Sequence, residues 1–437
     1  MDKQYLIIDL KTFYASVECA ERGLDPFKTN LVVADASRGK GAICLAITPK
    51  LKAMGIHNRC RLYEIPDGVE YIAAMPRMKK YMEYSARIYQ IYLCYFSEED
   101  IHPYSIDEMF IDVTEYLKLY NTTALKLAKA LMRKIYNELH ITATAGIGTN
   151  LFLAKIALDI YSKHVKSNIG ILNEETFREK LWYHKPITDF WMISTGTAKR
   201  LQKFHVECMR DILSVPEDLL YKEFGVNAEI IIDHAKGIEP VTIKDIHNYK
   251  RQSKSISQSQ LLHCGYNYTK TRIVLSEMVE SLCLDLVRKK LVSNTISLYV
   301  GYRSYPGTGG SKSISILTNA YTKILPYFQE IYDKTTLRGE EIVRLGIGFG
   351  NVYPENEEHL DLFTSYEDIE KERNLSRTIN SLKDKYGKNS VLKAVDLVDG
   401  ATQRQRNCLI GGHNATTEDA DWKKSKDIPT IWCTRGI

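Results

Sequence analysis

Nothing in this chain supplies a metal-thiolate site or a disulfide framework. Its nine cysteines, at 19, 44, 60, 94, 208, 264, 283, 408 and 433, include no C-x-x-C pair and no zinc-ligand spacing, and their number is odd. They read as buried or incidental thiols. No run of about 20 apolar residues is present for a membrane span. The opening MDKQYLIIDL breaks its short apolar stretch at Asp9, with no signal-peptide architecture behind it. A cytoplasmic protein without a membrane partner is therefore the expectation. Net charge is scarce too, since +5 over 437 residues does not by itself point to nucleic acid. Repeats and low-complexity tracts are missing, and 25 glycines and 12 prolines are too few for a fibrous chain.

What is present is a globular composition, 44% hydrophobic and 26% charged. The length exceeds one hydrophobic core, so roughly two to four domains are expected. Charge is also unevenly placed. Residues 250 to 350 hold 14 Lys and Arg against 7 Asp and Glu, an excess larger than that of the whole chain. That segment is a candidate polyanion-binding module.

Hydrophobic patterning gives the elements. YLIIDL (5 to 10) and LVVAD (31 to 35) read as buried strands, each ending in an acid, with a helix over 12 to 21 between them. A helix is expected over 78 to 95, a strand over 109 to 113, a helix over 124 to 139, and a strand over 141 to 148. That strand runs into a helix opening at Asn150. The mixture suggests an α+β or α/β first unit through 165, whereas 174 to 236 reads as mainly helical. Residues 240 to 253 are polar without clear period and read as a linker. Beyond them a helix (268 to 290), strands (294 to 302 and 312 to 318), a helix (319 to 333) and a strand (341 to 349) suggest a small β-α-β-β-α-β-like module. From 354 the chain starts acidic and then shows little pattern.

Two apolar strands end in carboxylates, at Asp9 and at Asp107-Glu108. An isolated buried carboxylate costs several kcal/mol, so such acids must be solvated, paired or metal-bound. Adjacent strand residues point to opposite faces, so Asp107 and Glu108 reach one site only from a turn, bulge or strand end. Three carboxylates so placed suit Mg²⁺, which takes hard oxygen ligands and leaves positions open for phosphates. The same acids also suit plain strand-end surface charges, and spacing alone leaves both readings open.

Three motifs narrow the choice: D-L-K-T-F-Y-A-S-V-E (Asp9 to Glu18), Y-S-I-D-E (Tyr104 to Glu108) and A-G-I-G-T-N-x-x-x-A-K (Ala145 to Lys155). In their order and spacing the chain resembles the Y-family DNA polymerases, and within them the UmuC-like bacterial branch of UvrX type. The resemblance covers roughly 1 to 350. It implies an α+β multidomain right-hand polymerase with a palm over 1 to 165, fingers inserted at about 24 to 75, and a helical thumb over 166 to 239. The linker would span 240 to 253 and a β-α-β-β-α-β little finger 254 to 350, before a tail over 351 to 437. It implies DNA-dependent DNA synthesis across lesions within an SOS-type damage response. Two Mg²⁺ ions would be held by Asp9, Asp107, Glu108 and the backbone carbonyl of Leu10.

By the same resemblance, Phe13, Tyr14, Lys52 and Lys155 match nucleotide contacts, with Tyr14 a steric gate against a 2′-hydroxyl. Pro49 stands where the family often has Tyr. Trp191-Met192-Ile193-Ser194 replaces the thumb's glycine turn, and His205 replaces a later Gly. Arg251, Lys254, Arg272, Arg303 and Lys312, interleaved with tyrosines, match the DNA-contacting little finger. Glu357 to Phe363 resembles the clamp-binding peptide Q-L-x-L-F, with His359 for Gln and with Leu360, Leu362 and Phe363 in register. The implied partners are primer-template DNA, deoxynucleoside triphosphates, a sliding clamp and a UmuD-like accessory subunit. Two other readings use the same acids: a single-nucleotide cyclase, which needs no basic module, and a catalytically idle DNA-binding factor descended from a polymerase.

Overall fold

A strand flanked by strands and covered on both faces reads as an unbroken apolar run, and YLIIDL occupies such a place. The computed structural model describes residues 3–165, 167–250, 254–361 and 365–416. The chain divides into two compact units, Met1–Tyr249 and Lys250–Ile437. In the first, Tyr5–Leu10 (β1) is followed by Phe13–Ala20 (α1) and by a small three-stranded sheet of Leu31–Val33 (β2), Ala46–Ile47 (β3) and Ile72–Ala74 (β4), with Pro49–Ala53 (α2) after β3. That sheet has its own apolar cluster, including Val32, Cys44, Ile47, Leu51 and Ile65. Met78–Leu93 (α3), Ile101–Pro103 (β5), Glu108–Asp112 (β6), Thr114–Leu119 (α4), Ala124–Leu139 (α5), Ala143–Gly148 (β7), Leu151–Asp159 (α6) and Ile169–Leu172 (β8) complete the larger sheet and its helices. Its order is β5-β6-β1-β7-β8, with β1 antiparallel to β6 and β7.

Glycine decides how close α6 lies to this sheet. A Cβ on Gly146 would meet the Ala154 carbonyl oxygen at 2.1 Å, and one on Gly148 would meet the Ala154 nitrogen at 2.2 Å. The A-G-I-G motif is therefore a flat seat for a helix. Tyr5, Ile7 and Phe110 pack there against Leu151, Ala154 and Leu158. Asp9 shares their side of the sheet, because it lies two residues beyond Ile7 on β1.

Helices Glu174–Lys180 (α7), Thr195–Leu201 (α8), Met209–Ile212 (α9), Glu217–Phe224 (α10) and Asn227–Lys236 (α11) surround a second apolar cluster that takes in Phe152 and Ile156 of α6. The reading of 240 to 253 as a linker needs correction in part. Ile243–Asn248 (α12) is a helix, opened by a reciprocal capping box between Thr242 and Asp245. Its Ile243 and Ile246 join the core beside Tyr5 and Phe110.

In the second unit the order is Ile256–Tyr266 (β9), Tyr268–Arg288 (α13), Leu291–Tyr302 (β10), Thr308–Thr318 (β11), Tyr321–Thr335 (α14) and Ile342–Pro354 (β12). The sheet runs β11-β10-β12-β9, and α13 and α14 pack on it through one core containing Val274, Met278, Leu298, Phe328, Leu345 and Phe349. The chain after 354 is more structured than its sequence pattern suggests. Tyr366–Tyr386 (α15) packs on α13, where the Asn380 amide donates to the Leu284 carbonyl at 3.0 Å. Gln403–Asn407 (α16) is fixed to the same helix by Glu277, a buried carboxylate. Glu277 accepts from the backbone N–H of Thr402 at 2.9 Å and of Gln403 at 3.0 Å, and from the Thr402 hydroxyl at 3.0 Å.

Candidate active site

The acids meet because of register. Asp9 is cross-strand partner to Glu108 on one side and Thr144 on the other, and paired residues point to the same face. Asp107 precedes β6 and lies in a tight turn, closed by the N–H groups of Tyr104 and Ser105, each donating to the Glu108 carbonyl at 3.0 Å. The turn resolves the difficulty of two adjacent acids serving one place. Ser105 locks it: its hydroxyl donates to Asp107 Oδ1 at 2.7 Å and accepts the Glu108 N–H at 3.0 Å. The Leu10 N–H donates to the Asp107 carbonyl at 3.1 Å, while the Leu10 side chain is buried.

Burial and like charge act together on Asp9. Desolvation, then Glu108 and Asp107, push its pKa up to about 7. Burial also raises Glu108, against the pull of Lys155. Lys155 is neither solvated nor free. It is buried, and its ammonium donates to both Glu108 oxygens, at 3.0 and 2.9 Å, and to Asp159 at 3.0 Å. Burial alone would lower the lysine's pKa, but Asp159 and Glu108 outweigh it and hold the value above normal.

Among the described residues, no three His, Cys, Asp or Glu side chains stand close enough to hold a metal as they are placed. Glu108 is turned to Lys155 instead. The donor chemistry nevertheless fits a hard divalent cation. Asp9 and Asp107 offer carboxylate oxygens, and the negative charge crowding Asp9 is what such an ion relieves.

Phe13 and Tyr14 separate in role. Phe13 is 2% exposed, so its ring packs in the core and leaves only the backbone at this position to meet a nucleotide. Tyr14 is half-buried and stacks on Tyr81, with centroids 4.6 Å apart. The Tyr81 hydroxyl donates to buried Glu18 at 2.7 Å, and Arg77 donates to both Glu18 oxygens at 2.9 Å. Burial, then Asp107, raises the Tyr14 pKa, while Arg59 pulls the other way. The ring is thus electrically within reach of the acid turn. Lys52 is exposed on α2. Arg59, which sequence reasoning does not single out, is exposed with φ 61° and is the fingers-segment cation that acts on Tyr14.

In the second unit, Lys254 is exposed, and Arg251 lies outside the described residues. Arg272 donates to Asp333 at 3.3 Å, Arg303 to Glu341 at 3.3 Å, and Lys312 to Glu330 at 2.5 Å. Lys312 pairs with buried Ile296, which places it on the helix-covered face of the sheet. The opposite face carries Ser297, Tyr299, Gly346, Gly348 and Arg344, with Arg344 5.9 Å from the Tyr299 ring centroid. Arg344 is the cation that alternation along 341 to 349 could have located. Of the clamp-like peptide, the His359 side chain is exposed and its carbonyl accepts the Leu317 N–H at 2.9 Å, and Leu360 is half-buried. Leu362 and Phe363 lie outside the described residues.

Family models match within both units of the chain. Residues 8–159 match the impB/mucB/samB family, and 253–362 match its C-terminal domain. The Bacillus subtilis (strain 168) protein named UV-damage repair protein UvrX is 31% identical over 423 residues, covering 94% of this chain and 98% of that one. This chain belongs to the Y-family DNA polymerases. Further Y-family relatives include DNA polymerase IV 2 of Bacillus subtilis, 27% identical over 94% of this chain and 99% of its own length. DNA polymerase IV 2 of Halalkalibacterium halodurans is also 27% identical, over 94% of this chain and 100% of its own. A solved chimeric Y-family DNA polymerase shares the fold, with a TM-score of 0.61 at 19% identity, covering 80% of this chain and 99% of that one. The resemblance read from the three motifs is therefore borne out, as is the mixed α and β multidomain class.

Proposed function

We propose that this DNA-directed DNA polymerase extends primers past damaged template bases, using two Mg²⁺ ions held by Asp9, Asp107, Glu108 and the Leu10 carbonyl, in an SOS-type damage response. The observation that carries the reading is the convergence of Asp9 and Glu108 on adjoining strands, facing the helix that carries Lys155. When bound, the ions activate the primer hydroxyl and neutralise the departing pyrophosphate. The chain's own residues orient the reactants. Glu108 would complete the ligand set beside Asp9 and Asp107, and Lys155, partnered by Glu108 and Asp159 in this structure, would offer its ammonium to the triphosphate. Lys52 and Arg59 stand in the fingers segment as further phosphate contacts. No helix of the described residues is long and apolar enough to cross a membrane. The intact acids speak against an idle binding factor, because three crowded carboxylates are costly to keep together without a use. The direct test is primer extension by the purified chain, with Mg²⁺, on undamaged and damaged templates. Extension without an added protein would also show that no UmuD-like subunit is required, and no extension under any condition would defeat the proposal.

DNA is gripped, in this reading, by Arg344 and Tyr299 on the open sheet face together with exposed Lys254 and Arg303, while Arg272, on α13 and paired with Asp333 of α14, and Lys312 contribute only to the unit's general field. Phosphate contacts release counterions, so affinity for primer-template DNA is expected to fall roughly a hundredfold between about 50 and 200 mM salt. Affinity that is flat across that range would remove the electrostatic grip.

The peptide from His359 to Phe363 is proposed to bind a sliding clamp, with Leu362 and Phe363 as apolar anchors. Changing both to Ala is expected to abolish clamp-stimulated synthesis and spare unassisted synthesis on short primers. Undiminished stimulation would assign the clamp contact elsewhere.

A further inference from the structure

The acid turn is braced from a part of the first unit that holds none of the acids. Tyr104, the residue at the head of the turn, sets its ring edge-to-face against Phe110 at 5.7 Å and against Trp191 at 5.9 Å. The Trp191 indole N–H donates to the Tyr104 hydroxyl at 3.0 Å. The Lys155 ammonium lies 5.5 Å from the centroid of the same ring. Trp191 is itself held. Its ring is nearly parallel to His234, at 6.0 Å and 18°, and His234 stacks on Phe152 at 4.0 Å. His234 is buried, and its Nε2–H donates to Glu239 at 3.0 Å. The indole therefore rests on a fixed stack and can act as a rigid donor.

We propose that Trp191 is a positioning residue for nucleotidyl transfer: by holding the Tyr104 hydroxyl it fixes the Tyr104–Glu108 turn in the orientation that presents Asp107 and Glu108. The proposal rests on the metal reading of those acids. Tyr104 is 44% exposed, so without this bond its ring would keep only the edge contact with Phe110 and the Lys155 ammonium, and the turn would lose a strut. The bond replaces a different device. In this stretch the family's glycine turn gives way to Trp191-Met192-Ile193-Ser194, and Met192 takes the positive φ of 70° itself. Trp191 turns its ring inward, and the segment acts on the acid turn through that side chain.

The test is a double-mutant cycle of W191F and Y104F, each of which keeps a ring but removes one partner of the hydrogen bond. Each single variant is expected to lower kcat for primer extension about three- to tenfold, the range of one neutral hydrogen bond. KM for the nucleotide should stay within about twofold, and the double variant should be no slower than either single one. Mg²⁺ binding by calorimetry, without nucleotide, should weaken in step with kcat, and the melting temperature should hardly move. A bond that serves only stability would instead lower the melting temperature and leave kcat and Mg²⁺ affinity intact, which overturns the proposal, as does an additive double variant. D107A assayed alongside separates the two ideas. If D107A is dead and W191F is normal, only the positioning role fails. If D107A is fully active, the metal reading itself fails.

Discussion

Asp107→Ala is expected to slow primer extension by at least about a thousandfold, roughly 4 kcal/mol of lost transition-state stabilisation, while primer-template affinity changes by less than about twofold. The acid offers nothing attractive to a phosphate backbone, so binding has no reason to fall. Its removal also relieves a repulsion, because Asp107 is one of the charges pushing the Asp9 pKa up to about 7. The melting temperature should therefore stay level or rise, which distinguishes a lost ligand from a damaged fold. Steady-state extension, filter binding and thermal unfolding of one preparation supply the three readings. Extension at a comparable rate would refute the metal assignment.

Tyr14→Ala should lower discrimination against ribonucleotides by about one to three powers of ten, each worth about 1.4 kcal/mol. The mechanism is exclusion: a ring in contact with C2′ leaves no space for an added oxygen, so selectivity comes from repulsion. The structure adds that the ring is braced. It stacks on Tyr81, whose hydroxyl is tied to Glu18, so it cannot easily yield to a larger sugar. Tyr14→Phe keeps the ring and should keep the selectivity. The competing possibility is that Tyr14 merely packs α1 against α3. In that case the alanine variant would be less stable and slower, with an unchanged ratio of ribonucleotide to deoxyribonucleotide incorporation.

Much of the site can be read from sequence because the physics that places it is periodic. The apolar run before Asp9 and the alternation after Glu108 mark two strands, and Asp107 and Glu108 can work together only from a turn, a bulge or a strand end, of which the structure has the turn. The close seat that Gly146 and Gly148 give α6 appears only in the structure. Pairings between distant residues also leave no trace in sequence. Nothing local says that Glu108 will meet Lys155 and Asp159, or that Trp191 will reach Tyr104, since each depends on how elements far apart in sequence pack. The helix α15 is hidden for another reason: two of its three buried residues are Arg373 and Asn380, so its inward face does not look apolar. Arg373 is accommodated there by Glu358 at 2.6 Å and Glu370 at 2.7 Å. In α12 the inward face is only Ile243 and Ile246, too short a signal to stand out from its polar neighbours. Composition gives the charge of Lys312 but not its place on the helix-covered side of the sheet.

The Glu277 carboxylate sets an order on synthesis. It lies in α13, inside the core of the second unit, yet the groups that satisfy it belong to Thr402 and Gln403, 125 and 126 residues downstream. While the chain is still emerging from the ribosome, α13 and the strands around it are complete long before those donors exist. A carboxylate cannot be buried unpartnered without a penalty, so the nascent unit must leave that face of α13 wet until its final segment arrives. The second unit should therefore seal this face of α13 only when the segment at 402–403 has docked, and a chain terminated before residue 402 would be released with an ionisable group at an unsealed seam, open to aggregation or to proteases.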